Sequence, residues 1–599
     1  MEKVFLGINV SHGASAALIV NGEIVLAFQE ERFNGVKNFV GYPKISIDNC
    51  ISYAKSKKIL IDEAAFSTIK NPIFDFKYSI ENYYSVQDWL SYFLDDFFSK
   101  KKKTKKVTDR LVLLKKKRNI DQYLNYSKVL SKDYFNNYSL FRKMQKDYLT
   151  KQSKGLLKKI SFIDHHTCHA YYAAFSPDIK EKTSAIVTLD SEGEGLNQTF
   201  WIFNKKSKVL KKITQSSECD LARIYRFITI ILGMKPNQHE YKVMGLAPYA
   251  KNKYSMRVYK DVFKNILKVK NCKVIYNKRP KNLFSYLYNK TKGYRFDNIA
   301  GAVQILIEDI TSKLINQINK KYNLNTFSIS GGVSMNIKMN RTLLNLKCVK
   351  KIYVSPTGTD DSLAIGACYY LNKKNKQKFL KNIYLGQEIS NKDLNKKNIY
   401  KLIKNKKNIL IHDKVSHKVI AKLLKKGEII AVARDREEFG ARALGNRSII
   451  ANPSVEGIIQ KINEQIKNRD FWMPFALTIL DKNHRSFIKN EKLIDSDFMT
   501  IGFDTVKKNY HKIKNGTHPY DRTVRPQILK KDFNPNYYSI INTFYKITNI
   551  PAVLNTSLNL HGSPISSTIS DIIYTFMNSG LKFLYLNDKI LLVKKTEKN

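Results

Sequence analysis

Val4-Phe5-Leu6-Gly7-Ile8-Asn9-Val10-Ser11-His12-Gly13-Ala14-Ser15-Ala16-Ala17-Leu18-Ile19-Val20-Asn21-Gly22-Glu23-Ile24-Val25-Leu26-Ala27-Phe28 alternates strand-like runs with two turns. Val4 to Val10 reads as a first strand, Ser11 to Ser15 as a small polar turn, and Ala16 to Val20 meets Ile24 to Phe28 across Asn21-Gly22. Asn-Gly supplies the positive φ angles of a type I′ turn, so the last two runs form a hairpin. The same grammar returns later. Ala185 to Leu189 ends at Asp190, the loop Ser191-Glu192-Gly193-Glu194-Gly195 follows, and Thr199 to Phe203 is again strand-like. Two strand–polar loop–strand units in one domain point to an internally duplicated α/β fold with its loops on a common cleft.

Outward from these hairpins, residues from about 50 to 158 are rich in Lys and Tyr, with amphipathic helical stretches and no chemical signature. Asn298 to Tyr322 carries apolar residues at helical spacing and leads into strand Phe327 to Ser330 and the turn Gly331-Gly332-Val333. Lys351 to Val354 is a further strand, followed by Thr357 to Ser362 and an apolar helix from Leu363 to Tyr370. Leu371 to Lys378 is rich in lysine and asparagine and suits a linker. The expected organisation is a first domain over 1–370, a linker over 371–385 and a second α/β domain over 386–599. In the second, Val415 to Lys426 is helical, Gly427 is a C-cap candidate, and Ile429 to Ala433, Phe583 to Leu586 and Ile590 to Val593 are strands.

A chain of 599 residues exceeds what one core usually serves, in keeping with more than one domain. No run approaches the 18 or so apolar residues of a membrane span, and the N-terminus lacks signal-peptide features. Six scattered cysteines with no C-x-x-C spacing fit free thiols in a reducing cytoplasm, the expected location. The net charge of +53 admits polyanion binding. The lysines, however, are spread along the whole chain rather than striped with aromatics, and Lys101 to Lys106 reads as solvated surface. Nucleic acid is accordingly disfavoured as a partner, and a homodimeric state is left open.

Four constellations carry chemistry. In Asp164-His165-His166-Thr167-Cys168-His169, His165 and His169 stand at i and i+4 and project from one helix face, as two nitrogen ligands to one metal do. His166 points elsewhere on that helix. Asp190 and the pair Asp360–Asp361 each follow a short apolar strand and offer carboxylate ligands. Two histidines with carboxylates suit iron(II), manganese or zinc. Second, Ser330-Gly331-Gly332-Val333-Ser334-Met335-Asn336 lies between strand and helix, where glycines admit a phosphate to the backbone. A plain tight turn explains it equally well. Third, Arg434 to Ser448 holds four arginines interspersed with glycine, and Lys467, Arg469, Arg522 and Arg525 add to the supply. Arginine's planar fork matches phosphate or carboxylate oxygens. Fourth, Leu554 to Pro564 offers short hydrogen-bonding side chains, including Asn555 and Ser557, just past an apolar strand.

In this order the segments resemble the nodulation-factor and antibiotic O-carbamoyltransferase family. The resemblance is carried by Gly7-Ile8-Asn9 through Ala17, Glu30-Glu31-Arg32-Phe33, His165 through Ala170, Lys242 through Tyr249, Ser330 through Val333, Glu438 through Ser448, and Asn555-Thr556-Ser557. It implies an N-terminal duplicated actin/sugar-kinase-like (ASKHA) domain and a C-terminal YrdC-like α/β domain. The implied reaction makes carbamoyl-adenylate from carbamoyl phosphate and ATP (with Mg²⁺) in the C-terminal domain. The carbamoyl group then passes to a hydroxyl of a small-molecule or glycan acceptor in the N-terminal domain.

By that resemblance His165, His169, Asp190 and one of Asp360 or Asp361 hold a divalent metal, with iron preferred. Asp361 is favoured for the small residues Ala364, Gly366 and Ala367 that follow it. His12 becomes the catalytic histidine, and Lys37 stabilises developing charge. Gly331, Gly332 and Asn336 are the adenylate-binding candidates. Arg442, Arg447, Lys467, Asn555 and Ser557 are the candidates for carbamoyl phosphate and ATP. Two departures from the family pattern stand out: Ser11-His12-Gly13-Ala14-Ser15 is one residue longer than usual, and Ala441 replaces a proline. The competing reading is a tRNA-modifying protein of threonylcarbamoyl type, or a nucleic-acid-binding protein.

Overall fold

The computed structural model describes residues 2–70, 84–98, 138–403 and 408–595; the lysine run Lys101 to Lys106 lies outside them. The chain forms two compact units, Met1–Glu31 with Asn38–Leu380, and Lys381–Asn599 with Arg32–Lys37. The break at Leu380 falls within the stretch read as a linker. The transfer of Arg32–Lys37 to the second unit has no counterpart in the sequence reading.

The first unit holds two five-stranded sheets. One runs β3 (Glu23–Gln29), β2 (Ser15–Val20), β1 (Val4–Asn9), β4 (Glu63–Phe66), β5 (Ile160–Phe162); the other runs β8 (Val209–Ser216), β7 (Leu196–Asn204), β6 (Thr183–Gly193), β11 (Thr326–Ser330), β12 (Lys351–Val354). In each, three antiparallel strands continue into two parallel ones. The repeated order is the duplication foretold by the two hairpins, and Asn21 and Gly22 take the left-handed φ of +49° and +82° that their turn demands. A small separate hairpin pairs β9 (Leu267–Lys270) with β10 (Lys273–Tyr276).

Small residues bring the helices onto these sheets. A Cβ on Gly7 of β1 would lie 1.8 Å from the Ala364 carbonyl oxygen, and one on Gly366 2.0 Å from that of Cys168. The helix Leu363–Leu371 is thereby wedged between β1 and the helix His165–Phe175. The spacing Ala364, Gly366, Ala367 therefore serves packing.

In the second unit an eight-stranded sheet runs β14 (Ile409–His412), β22 (Ile590–Lys594), β21 (Phe583–Leu586), β15 (Ile430–Ala433), β17 (Arg447–Ala451), β20 (Ala552–Ser557), β18 (Ala476–Leu480), β19 (Pro526–Leu529). Beside it β13 (Tyr384–Glu388) pairs with β16 (Arg436–Glu438). Helices His417–Lys425 and Pro535–Thr548 bury Ile420, Leu424, Ile541 and Phe544 against Val432, Ile450 and Val553 of the sheet. One expectation is corrected here. Asn555 to Ser557, read as lying just past a strand, are inside β20, and Arg447, given no secondary structure in the sequence reading, opens strand β17. Among the described residues no helix is long and apolar enough to cross a membrane.

Candidate metal centre and candidate anion site

Asp164 caps the helix His165–Phe175, its Oδ1 accepting from Thr167 N at 2.8 Å and Thr167 Oγ1 at 2.9 Å. That fixes the first turn and sets His165 and His169 side by side. Asp190, near the far end of β6, spends Oδ1 on Ser191 N at 2.7 Å. Its Oδ2 lies 3.2 Å from His165 Nε2 and 3.1 Å from His169 Nε2. Asp360 accepts from Ser11 Oγ at 3.0 Å on Oδ2, which leaves Oδ1 3.8 and 3.6 Å from the same two nitrogens. Ser330 Oγ stands 3.2 Å from His169 Nδ1 and orients that ring from behind.

One donor atom from each of His165, His169, Asp190 and Asp360 lies within 4.8 Å of the others, and the first three are buried. Burial would lower the pKa of His165, but Asp360 and Asp190 raise it to about 9. Burial likewise opposes charge on His169, and Asp190 and Asp360 overcome it. Burial would raise the Asp190 carboxyl, yet its bonds to both histidines hold it well below the usual carboxylate range. Two nitrogens and two carboxylate oxygens in a buried pocket are a donor set that fits a divalent transition metal. Such an ion must displace the imidazole protons. Because His165 stays protonated up to about pH 9, affinity for Mn²⁺ or Zn²⁺ rises with pH to that point and levels off above it. Calorimetry in buffers of differing ionisation enthalpy measures the released protons; a pH-independent affinity would defeat this expectation.

The preference for Asp361 is corrected by geometry. Its carboxylate turns away from the histidines and accepts from Thr357 Oγ1 at 2.7 and 2.9 Å, Thr359 Oγ1 at 2.5 Å and Gln29 Nε2 at 2.9 Å. Burial pushes its pKa to about 6 despite those hydroxyls. Asp360→Asn is therefore expected to cut metal content by about tenfold or more, whereas Asp361→Asn keeps the metal and loses thermal stability. Elemental analysis with thermal melts separates the two, and the reverse pattern would restore Asp361 as the ligand.

His12 sits in the same loop as Ser11, half-buried, with Nε2 shielded from solvent and without a hydrogen-bond partner. Burial lowers its pKa against the pull of Asp360, Glu31 and Asp190, so the ring is neutral at pH 7 and able to accept a proton. His166 is fully buried, with Nδ1 2.8 Å from Thr188 Oγ1 and Nε2 3.0 Å from the Leu196 carbonyl. It braces β6 and β7 behind the cluster. Gly331 takes φ +91°, and a Cβ there would meet the Leu189 carbonyl oxygen at 2.2 Å, so the protein's own backbone demands this glycine. A Cβ on Gly332 would lie 3.3 Å from Asp190 Oδ1, a tight contact. Asn336 caps the helix Ile337–Asn345 through Met339 N and donates to Gln304 Oε1, a structural role beside the adenylate-binding one expected of it.

In the second unit Glu438 Oε1 accepts from the backbone N–H of Leu444, Asn446 and Arg447 at 2.6, 2.8 and 3.2 Å, folding the arginine-rich turn around one carboxylate. Arg447, expected on a phosphate, is buried and committed elsewhere. Its guanidinium donates to the carbonyl oxygens of Ser567, Arg434, Asn446, Gln387 and Asp435. Lys467 is also buried, with Nζ 3.3 Å from Ser557 Oγ and 2.7 Å from Asn559 Oδ1. Burial, then Arg469 and Lys37, hold its pKa well below the usual lysine value. Arg469 donates to Thr556 Oγ1 at 2.9 Å. Arg525 is crowded by Arg442 and Arg469. Asn555 donates to the Ala443 carbonyl and Thr478 Oγ1, and its buried Oδ1 has no partner. Lys467, Ser557, Arg442 and Asn555 thus belong to one neighbourhood, joined by Arg469, Arg525 and Asn559; the sequence reading gave Asn559 no role.

Residues 4–369 match the family description "Carbamoyltransferase N-terminus" and residues 421–594 match "Carbamoyltransferase C-terminus". The chain belongs to the carbamoyltransferase family. It is 31% identical to the uncharacterized protein MJ1051 of Methanocaldococcus jannaschii, covering 98% of this chain and 99% of that one. The nodulation protein NolNO of Sinorhizobium fredii is 25% identical over 97% of this chain and 79% of its own length. A 3'-hydroxymethylcephem-O-carbamoyltransferase of Amycolatopsis lactamdurans is 25% identical over 29% of this chain and 32% of its own. This carbamoyltransferase is thus a transferase enzyme with two sites to account for.

Proposed function

We propose that this carbamoyltransferase is an ATP-dependent O-carbamoyltransferase acting on a hydroxyl of a small-molecule or glycan acceptor. The observation that carries the reading is the division of labour between the units: a His/Asp cluster beside a neutral histidine in the first, and a cation cluster in the second. The second unit suits anionic substrates. Arg442, Lys467 and Arg525 would hold carbamoyl phosphate and ATP, with Ser557, Asn555 and Asn559 orienting the carbamoyl amide. Atom balance requires that carbamoyl phosphate, ATP and one water give carbamoyl-adenylate, pyrophosphate and phosphate.

In the first unit His12 Nε2 takes the acceptor's hydroxyl proton as that oxygen bonds to the carbamoyl carbon. The bond from the carbamoyl carbon to the oxygen of AMP then breaks, and AMP leaves with its electron pair. A divalent metal held by His165, His169, Asp190 and Asp360 would supply charge neutralisation for the leaving phosphate. The test needs no acceptor: the protein should exchange labelled pyrophosphate into ATP only when carbamoyl phosphate is present, and Lys467→Ala should abolish the exchange. Exchange independent of carbamoyl phosphate, or unchanged in Lys467→Ala, would refute the activation half of the reading.

A further inference from the structure

Lys467 closes a short π-helical turn, Asn463–Lys467, and Asn468 after it takes the left-handed φ of +45°. The Asn468 N–H returns to the Asn463 carbonyl at 3.0 Å, and the last carbonyls of such a turn have no partner within it. The Lys467 carbonyl finds one in another loop, where His561 Nδ1 stands 2.6 Å from it. A carbonyl oxygen only accepts, so His561 carries a proton on Nδ1.

The same loop receives the other end of Lys467. The ammonium donates to Asn559 Oδ1 at 2.7 Å and, less closely, to the Asn559 carbonyl and Ser557 Oγ, both at 3.3 Å. Asn559 is itself fixed, because its Nδ2 donates to the Leu560 and Ser563 carbonyls at 3.0 and 2.8 Å. Leu558 N fastens the base of the loop to the carbonyl of the buried Arg447 at 2.9 Å. A histidine that met only the end of a turn would be ordinary helix capping. Here one loop grips both the main chain and the side-chain tip of a single lysine. A flexible four-carbon stem separates those two ends, so the ammonium keeps its place only while the backbone keeps its own.

We infer that His561 is a positioning residue for Lys467: its Nδ1–H holds the Lys467 carbonyl and thereby aims the ammonium at the anionic substrate of the second unit. The inference rests on the activation reading above and adds to it a residue that need not touch the substrate. Two amide substitutions separate this role from a general need for bulk. Asparagine places an N–H where Nδ1 stands, whereas glutamine carries its N–H one bond further, near the position of Nε2.

His561→Ala and His561→Gln should lower kcat/KM for carbamoyl phosphate in pyrophosphate exchange by about tenfold or more. His561→Asn should stay within about threefold of the wild type. The side chain is exposed, so all three variants should melt like the wild type. A second measurement needs no turnover: amine labelling of the full chain, followed by mass spectrometry. Lys467 is buried and should label slowly, and His561→Ala and His561→Gln should speed its labelling by about tenfold while the exposed Lys425 is unchanged. Wild-type exchange in His561→Ala, or a His561→Gln that matches His561→Asn, overturns the inference. If the wild type shows no exchange dependent on carbamoyl phosphate, yet Lys467 labels faster in His561→Ala and His561→Gln but not in His561→Asn, the activation reading falls and the hold of His561 on Lys467 stands.

Discussion

Asp190→Asn is expected to lower carbamoyl transfer by about 10³-fold or more, equivalent to about 4 kcal/mol of lost electrostatic stabilisation, while leaving pyrophosphate exchange within about twofold. The substitution preserves shape. An asparagine oxygen still accepts from Ser191 N, as Asp190 Oδ1 does at 2.7 Å. What disappears is the charge on the oxygen shared by His165 and His169. Without it the donor set loses the carboxylate that touches both nitrogens, and bound metal should fall to about a tenth or less. Exchange is spared because Lys467, Arg442 and Arg525 belong to the other compact unit. Elemental analysis, exchange and transfer of labelled carbamoyl into the acceptors of a cell extract read the three effects separately. A variant with normal transfer would remove Asp190 from the site altogether.

How far the sequence discloses such a site depends on whether the deciding contact is local. The Asn21–Gly22 turn and the i, i+4 histidines are local, and both are legible. Strand β4 is not. Glu63-Ala64-Ala65-Phe66 is short and alanine-rich, and it is a strand because β1 and β5 pair with it on either side. Asp360 and Asp361 show the same limit at the site itself. They are successive residues of a 3₁₀ turn, so their side chains diverge by about 120°. The partners that choose between them, Ser11 for one and Gln29 for the other, are distant in sequence. The arginine-rich turn fails for a related reason. Counting arginines predicts an anion site, but only the fold reveals which guanidinium groups are already consumed by carbonyl oxygens.

That distinction yields the second large effect. Arg447→Met is expected to destabilise the second unit by about 3–5 kcal/mol, lowering its melting temperature by roughly 10 °C, rather than to act on substrate binding. The side chain is buried, and methionine would leave the carbonyl oxygens of Ser567, Arg434, Asn446, Gln387 and Asp435 without this donor. Glu437 is buried too, and burial already pushes its carboxyl upward against the pull of Arg32 and Arg447. Removing Arg447 takes away part of that compensation and leaves a buried carboxylate less well balanced. Arg442→Ala is the contrasting case. It is half-buried beside Arg525, so its loss should abolish carbamoyl phosphate-dependent exchange with little change in melting temperature. Thermal melts of both variants, each titrated with carbamoyl phosphate, decide the matter. If Arg447→Met melted like the wild type and lost only its response to carbamoyl phosphate, Arg447 would be a ligand after all, and its carbonyl contacts would have to open to admit the phosphate.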